Sequence, residues 1–161
     1  MKKLFLLLFI PILSYSQDDI ERYKLYPTEN MYTFIKLDTS NGLLWQVQYG
    51  VGDVDAFQSV LSDWKISLSV EEITEEYNER YKYWEENYEN NTELSSEDIE
   101  YFKPQDLDVR LTYAHIAKIG RYKLYPTQNM YNFILLDVID GYTYQVQWSI
   151  DKDKRLVLPI R

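Results

Sequence analysis

Two stretches of the chain alternate apolar and polar residues with strict period two. Trp45, Val47 and Tyr49 alternate with Gln46 and Gln48, and Tyr144, Val146 and Trp148 alternate with Gln145 and Gln147. Successive strand residues point to opposite faces, so this period predicts β-strands with a buried Trp/Val/Tyr face and a wet Gln face. Upstream, Tyr23 and Leu25 alternate with Arg22 and Lys24 as far as Pro27, which cannot donate to a ladder. Met31 to Leu37 is apolar on both faces and ends at Asp38-Thr-Ser-Asn41-Gly42, matched later by Asp137-Val-Ile-Asp140-Gly141. Asn-Gly and Asp-Gly supply the positive φ that a tight reversal requires. A fourth strand is expected at 57–61 and again at 155–160.

These parallels are an internal duplication. Arg22–Tyr49 and Arg121–Trp148 align without a gap at an offset of 99 residues, with 18 of 28 positions identical. Each copy reads as an antiparallel meander of three or four strands. One such meander is only marginally stable alone. Two in one chain predict a β-dominated α+β fold, packed as a small sandwich with approximate two-fold symmetry or joined as a continuous sheet.

The segment between the copies has a different period. Ser69 and Glu72 fit a capping box, and Ile73, Tyr77, Tyr81, Trp84 and Tyr88 then recur at helical spacing, which predicts a helix over about 70–89. Ser95 and Asp98 predict a second, shorter helix ending near Lys103, before Pro104. Residues 106–113 alternate polar and apolar and read as a strand, with 114–119 open to helix.

At the N-terminus, Lys2-Lys3, an apolar run over Leu4–Leu13 and Ser14-Tyr15-Ser16 form the three parts of a secretory signal peptide. The run is too short to span a membrane. A lipid anchor would need a cysteine at the cut site, and the chain has no cysteine. The expected organisation is a signal peptide over 1–16, β-repeat 1 over 17–62, an acidic insert over 63–118 and β-repeat 2 over 119–161. The product is expected in the periplasm or outside the cell.

Charge sharpens this picture. The formal net charge is −9. Loss of the two leader lysines would bring it to −11, of which the insert carries −9 while repeat 2 carries +2. Net negative charge argues against a nucleic-acid partner. The absence of cysteine excludes disulfides, thiolate zinc sites and a cysteine nucleophile.

The repeat, Tyr-Pro-Thr-x-Asn-Met-Tyr-x-Phe-x-x-Leu-Asp…Gly…Gln-Val-Gln, resembles one in small uncharacterised exported proteins of Bacteroidetes-type bacteria, over 22–61 and 121–160. The resemblance implies export and brings no activity, and the long acidic insert departs from it. Leu37-Asp38…Gly42…Trp45 also resembles the hairpin of quinoprotein-type propeller blades, with the Trp one residue early and two copies where a closed propeller needs at least four.

Catalytic chemistry finds little support. His115 is the single histidine, no glycine-rich phosphate loop is present, and the insert carboxylates sit at solvated helical spacing. Asp53/Asp55 and Asp151/Asp153 lack the rest of a calcium loop. No catalytic residue, metal or cofactor is therefore assigned. The binding candidates are Gln46, Gln48, Gln145 and Gln147 as a polar face, and the insert stripe Tyr77, Tyr81, Trp84 and Tyr88, which either docks on the β-core or stays exposed to a partner. The leading expectation is an exported, non-enzymatic interaction domain with a protein or glycan partner, or a homo-oligomer. Two alternatives are a carbohydrate-binding module or weak glycosidase using exposed aromatics and carboxylates, and an acidic inhibitor of a basic secreted enzyme.

Overall fold

A computed structural model describes residues 21–62 and 64–161, so the expected signal segment at 1–16 lies outside the described residues. Repeat 1 forms strands β1 (Tyr23–Pro27), β2 (Thr33–Asp38), β3 (Leu44–Gln48) and β4 (Phe57–Val60). Repeat 2 forms β5 (Tyr122–Pro126), β6 (Asn132–Asp137), β7 (Thr143–Gln147) and β8 (Leu156–Pro159). Each set is a four-stranded antiparallel meander in sequential order. Registers match across the duplication: Tyr26 pairs with Ile35 and Ile35 with Gln46, as Tyr125 pairs with Ile134 and Ile134 with Gln145.

The turns form for the expected reasons. Gly42 and Gly141 have φ of +79° and +77°. The Asp38 and Asp137 carboxylates each accept a backbone N–H two residues on, both at 3.0 Å. Gly42 carries a second constraint, because a Cβ there would lie 2.8 Å from Ile66 Cδ1.

The two sheets share one core and pack as a sandwich, but without the expected two-fold symmetry. Each sheet has a front face, carrying residues 26, 35, 37, 44 and 46 in repeat 1. Its back face carries 23, 25, 34, 36, 45 and 47. The core joins Ile35, Leu37 and Leu44 from the front of repeat 1 to Tyr122, Leu124, Phe133, Leu135 and Val146 from the back of repeat 2. Repeat 2 thus buries the face that repeat 1 leaves outside. Tyr122 is 0% exposed and its equivalent Tyr23 49%; Leu124 is 4% exposed and Leu25 60%. Two-fold packing would have to bury Lys36 in place of Leu135, and Gln58 in place of Val157. A lysine ammonium is costly to bury unpaired, whereas Leu44 on the front of repeat 1 fits a core better than Thr143 at the equivalent position.

The expected burial of the Trp45/Val47/Tyr49 face is therefore corrected. The equivalent face is buried in repeat 2, where Val146 and Trp148 are in the core, and is only partly covered in repeat 1, with Trp45 and Val47 half-buried and Tyr49 exposed. The expected wet face of Gln46 is corrected too. Gln46 is 0% exposed and neither side-chain polar atom has a hydrogen-bond partner, nor has buried Thr33 Oγ1. A buried amide without partners carries its full desolvation cost. Gln46→Leu should accordingly raise the unfolding free energy by about 1–3 kcal/mol. A lower urea midpoint would show that the amide has a partner.

Between the sheets in sequence, the insert leaves and re-enters beside the β2–β3 turn. Ile66 and Ser67 N–H donate to Asn41 O, and Lys118 N–H to Ser40 O. Helix α1 (Val70–Trp84) starts at the Ser69–Glu72 capping box and runs into a π-helical turn, Glu85–Glu89. Helix α2 (Ser96–Phe102) starts at a second capping box, Ser95–Asp98, as expected. The expected strand over 106–113 is instead helix α3 (Leu107–Tyr113). Its more buried residues are Leu107, Arg110 and Leu111, a helical stripe, while Val109 is exposed. The alternation was accidental, and packing against α1, with Arg110 bonded to Glu76 at 2.7 Å, selects the helix.

Candidate functional site

The back face of repeat 1 is the most built surface of the molecule. Tyr23 from β1 and Trp45 from β3 meet edge to face at 6.4 Å across β2. Lys36, between them on β2, lays its ammonium 4.2 Å from the Trp45 ring centroid and donates to Gln58 Oε1 at 3.0 Å. Tyr49 meets Tyr32 at 5.6 Å and Phe34 at 6.4 Å, and its hydroxyl donates to Met31 O. The surface is aromatic and tied down, so little side-chain entropy is left to lose on binding. Its rings are steeply inclined to one another, 64° for Tyr23/Trp45 and 71° for Tyr32/Tyr49. They make no flat sugar-stacking platform, and the nearest duplicated carboxylate, Asp38, is buried.

The structure does not bring the four glutamines together. Gln46 and Gln48 lie on the front of repeat 1, turned to repeat 2; Gln145 and Gln147 lie on the front of repeat 2, turned outward. Gln147 donates to Lys154 O and Gln145 to Asn132 Oδ1, both bonds within repeat 2. The insert stripe docks on neither the β-core nor solvent. Tyr77, Tyr81 and Trp84 pack in series at 5.8 and 5.5 Å, Trp84 Nε1 donates to Ile99 O, and Tyr88 stacks on Phe102 at 4.7 Å. These aromatics are the insert's own small core, an outcome open to a helix only when partners α2 and α3 are in place.

A polar cluster joins the insert to repeat 2. Buried Arg121 binds Asp137 Oδ2 through Nε and Nη2 at 2.9 and 2.7 Å, donates to Ile116 O and also contacts Asp140. His115 Nδ1 lies 2.6 Å from Asp140 Oδ2. Arg121 Nη2 also lies 3.2 Å from His115 Nδ1. The hydrogen bond from His115, aided by the Arg121 charge, holds the Asp140 carboxyl below the usual carboxylate range against some desolvation. In repeat 1 the equivalents are exposed Arg22, 3.3 Å from Asp38, and Asn41 in place of Asp140, so the cluster exists once. His115, Asp137 and Asp140 present ligand atoms close enough for a cation. The Arg121 guanidinium already fills that place, so the geometry is that of an ion-pair lock.

Beside the lock, a cleft of about 300 Å³ is lined by Lys24, Lys118 and Lys123 with Thr39 and Tyr122. Burial pushes the Tyr122 phenol up to about 12, partly opposed by its 2.5 Å hydrogen bond with Ser67 Oγ. Sequence reasoning missed both the lock and the open back face. The signal for the second was present in the few unlike pairs, Lys36/Leu135 above all.

No family model, curated protein or solved structure matches the chain. The fold and site therefore define a class by geometry alone: a duplicated β-meander sandwich with a helical insert. No described helix is long and apolar enough to cross a membrane.

Proposed function

We propose that the protein is an exported, non-enzymatic docking module whose partner is a protein that packs on the back face of repeat 1. One observation carries this reading. The face that forms half of the core in repeat 2 is present in repeat 1 with the same Tyr, Leu, Phe and Val residues, and there Tyr23 and Leu25 are exposed and Phe34 and Val47 only half-buried. Apolar sheet faces of this kind mark interaction sites in soluble proteins. The inclined rings and the lysine among them suit a shaped protein surface better than a flat sugar ring. The basic, apolar and small-residue order over 1–16 supports export. The insert's charge supports solubility.

A photo-crosslinking residue in place of Leu25, in the intact chain in its native host, tests the proposal. A discrete protein adduct is expected at that position, and none with the crosslinker at exposed Tyr83 on the insert. No adduct at position 25, or the same adducts at both, would overturn it.

A further inference from the structure

We infer that the partner is a second copy of this chain, stacked head to tail, with the back of repeat 1 in one molecule lying on the front of repeat 2 in the next. This rests on the docking reading above and names its occupant. The reason is the front-to-back packing inside the chain. A face-to-face sandwich uses one kind of face and leaves the other kind at both ends. A front-to-back sandwich leaves one of each, and those two are the halves of the interface already made within the molecule.

The match is residue by residue. On the back of repeat 1, exposed Tyr23 and Leu25 and half-buried Phe34 and Val47 repeat the buried Tyr122, Leu124, Phe133 and Val146. On the front of repeat 2, exposed Tyr125 and half-buried Ile134 and Leu136 repeat Tyr26, Ile35 and Leu37, and Ile160 (48% exposed) stands where Leu61 (6% exposed) does. The turn is also open. Within the chain, the Thr39, Ser40 and Asn41 carbonyls take N–H groups of Tyr122, Lys118 and Ile66. Among the described residues, no backbone N–H reaches the equivalent carbonyls of Val138, Ile139 and Asp140.

The intermolecular contact must be weaker than the internal one. Lys36 and Gln58 replace Leu135 and Val157 on the back, and Thr143 replaces Leu44 on the front. No covalent linker raises the effective concentration. Lys36 is already folded along Trp45, so its stem can stay on the apolar surface while its ammonium reaches a rim. The contact is heterologous, so copies add in one sense, along an open stack or around a ring where the rotation closes.

Sedimentation of the purified protein over a wide concentration range should show reversible, concentration-dependent self-association. Leu25→Arg blocks the back of repeat 1 and Ile160→Arg the front of repeat 2. Both positions are exposed, so each variant should keep the wild-type circular dichroism and, at a concentration where the wild type is monomeric, its melting temperature. Each alone should stay monomeric. Their equimolar mixture should approach twice the mass of either and grow no further, because each supplies the face the other lacks. A wild type that is monomeric throughout would overturn the inference, as would a mixture that stays monomeric. The crosslink at position 25 separates the two claims. An adduct of twice the chain mass supports stacking. A discrete adduct of another mass overturns stacking and keeps the docking module. No adduct removes both.

Discussion

Leu124→Ala should destabilise the protein by about 2–5 kcal/mol, while Leu25→Ala should change stability by less than about 0.5 kcal/mol. Both leucines sit in identical heptapeptides, Arg-Tyr-Lys-Leu-Tyr-Pro-Thr, and at the same place in equivalent edge strands, β1 and β5. Local propensity, turn chemistry and register are therefore equal, and only burial differs. Leu124 is in the shared core, and its removal forfeits both transfer free energy and packing. Leu25 is 60% exposed on the outer face, so little is lost. Urea unfolding of both variants at low protein concentration, where stacking is absent, checks this. Equal losses would mean that both repeats bury the same face and that the front-to-back arrangement is wrong.

Arg121→Ala should cost about 3–5 kcal/mol, against about 0–1 kcal/mol for Arg22→Ala. The Arg121 and Asp137 side chains are both buried, and losing the guanidinium strands a carboxylate that has no water to turn to. That carboxylate also holds the β6–β7 turn through Ile139 and Asp140 N–H, so its discomfort is transmitted to the hairpin. Arg121 further bonds Ile116 O, which ties the end of the insert to repeat 2. Arg22 reaches its Asp38 from a solvent-exposed position at 3.3 Å, where screening and side-chain entropy cancel most of the gain. Denaturant midpoints of the two variants decide the matter. A mild Arg121→Ala would show that water reaches Asp137.

Much of the architecture was legible because it is locally encoded. The duplication, the two reversals at Asn41-Gly42 and Asp140-Gly141, and the capping boxes at Ser69 and Ser95 each depend on residues within a few positions of one another. The helix over 107–113 was not legible. Its eight-residue window satisfies a strand pattern by coincidence, and Glu76 and the α1 surface, distant in sequence, decide the conformation. The candidate site was harder still. Alternation at Trp45–Tyr49 states that two faces differ, and it is silent about which one faces the core.

By itself, then, the sequence determined two copies of one meander, their turns and the two capped helices that start at Ser69 and Ser95, since turns and caps follow from neighbouring residues. Only the tertiary structure decided that the copies stack front to back. That choice is made where the copies differ. A lysine and a glutamine at 36 and 58 cannot be buried as cheaply as the leucine and valine at 135 and 157, so one sheet turns its back inward and the other turns it out. Identical heptapeptides thereby become core in one repeat and surface in the other.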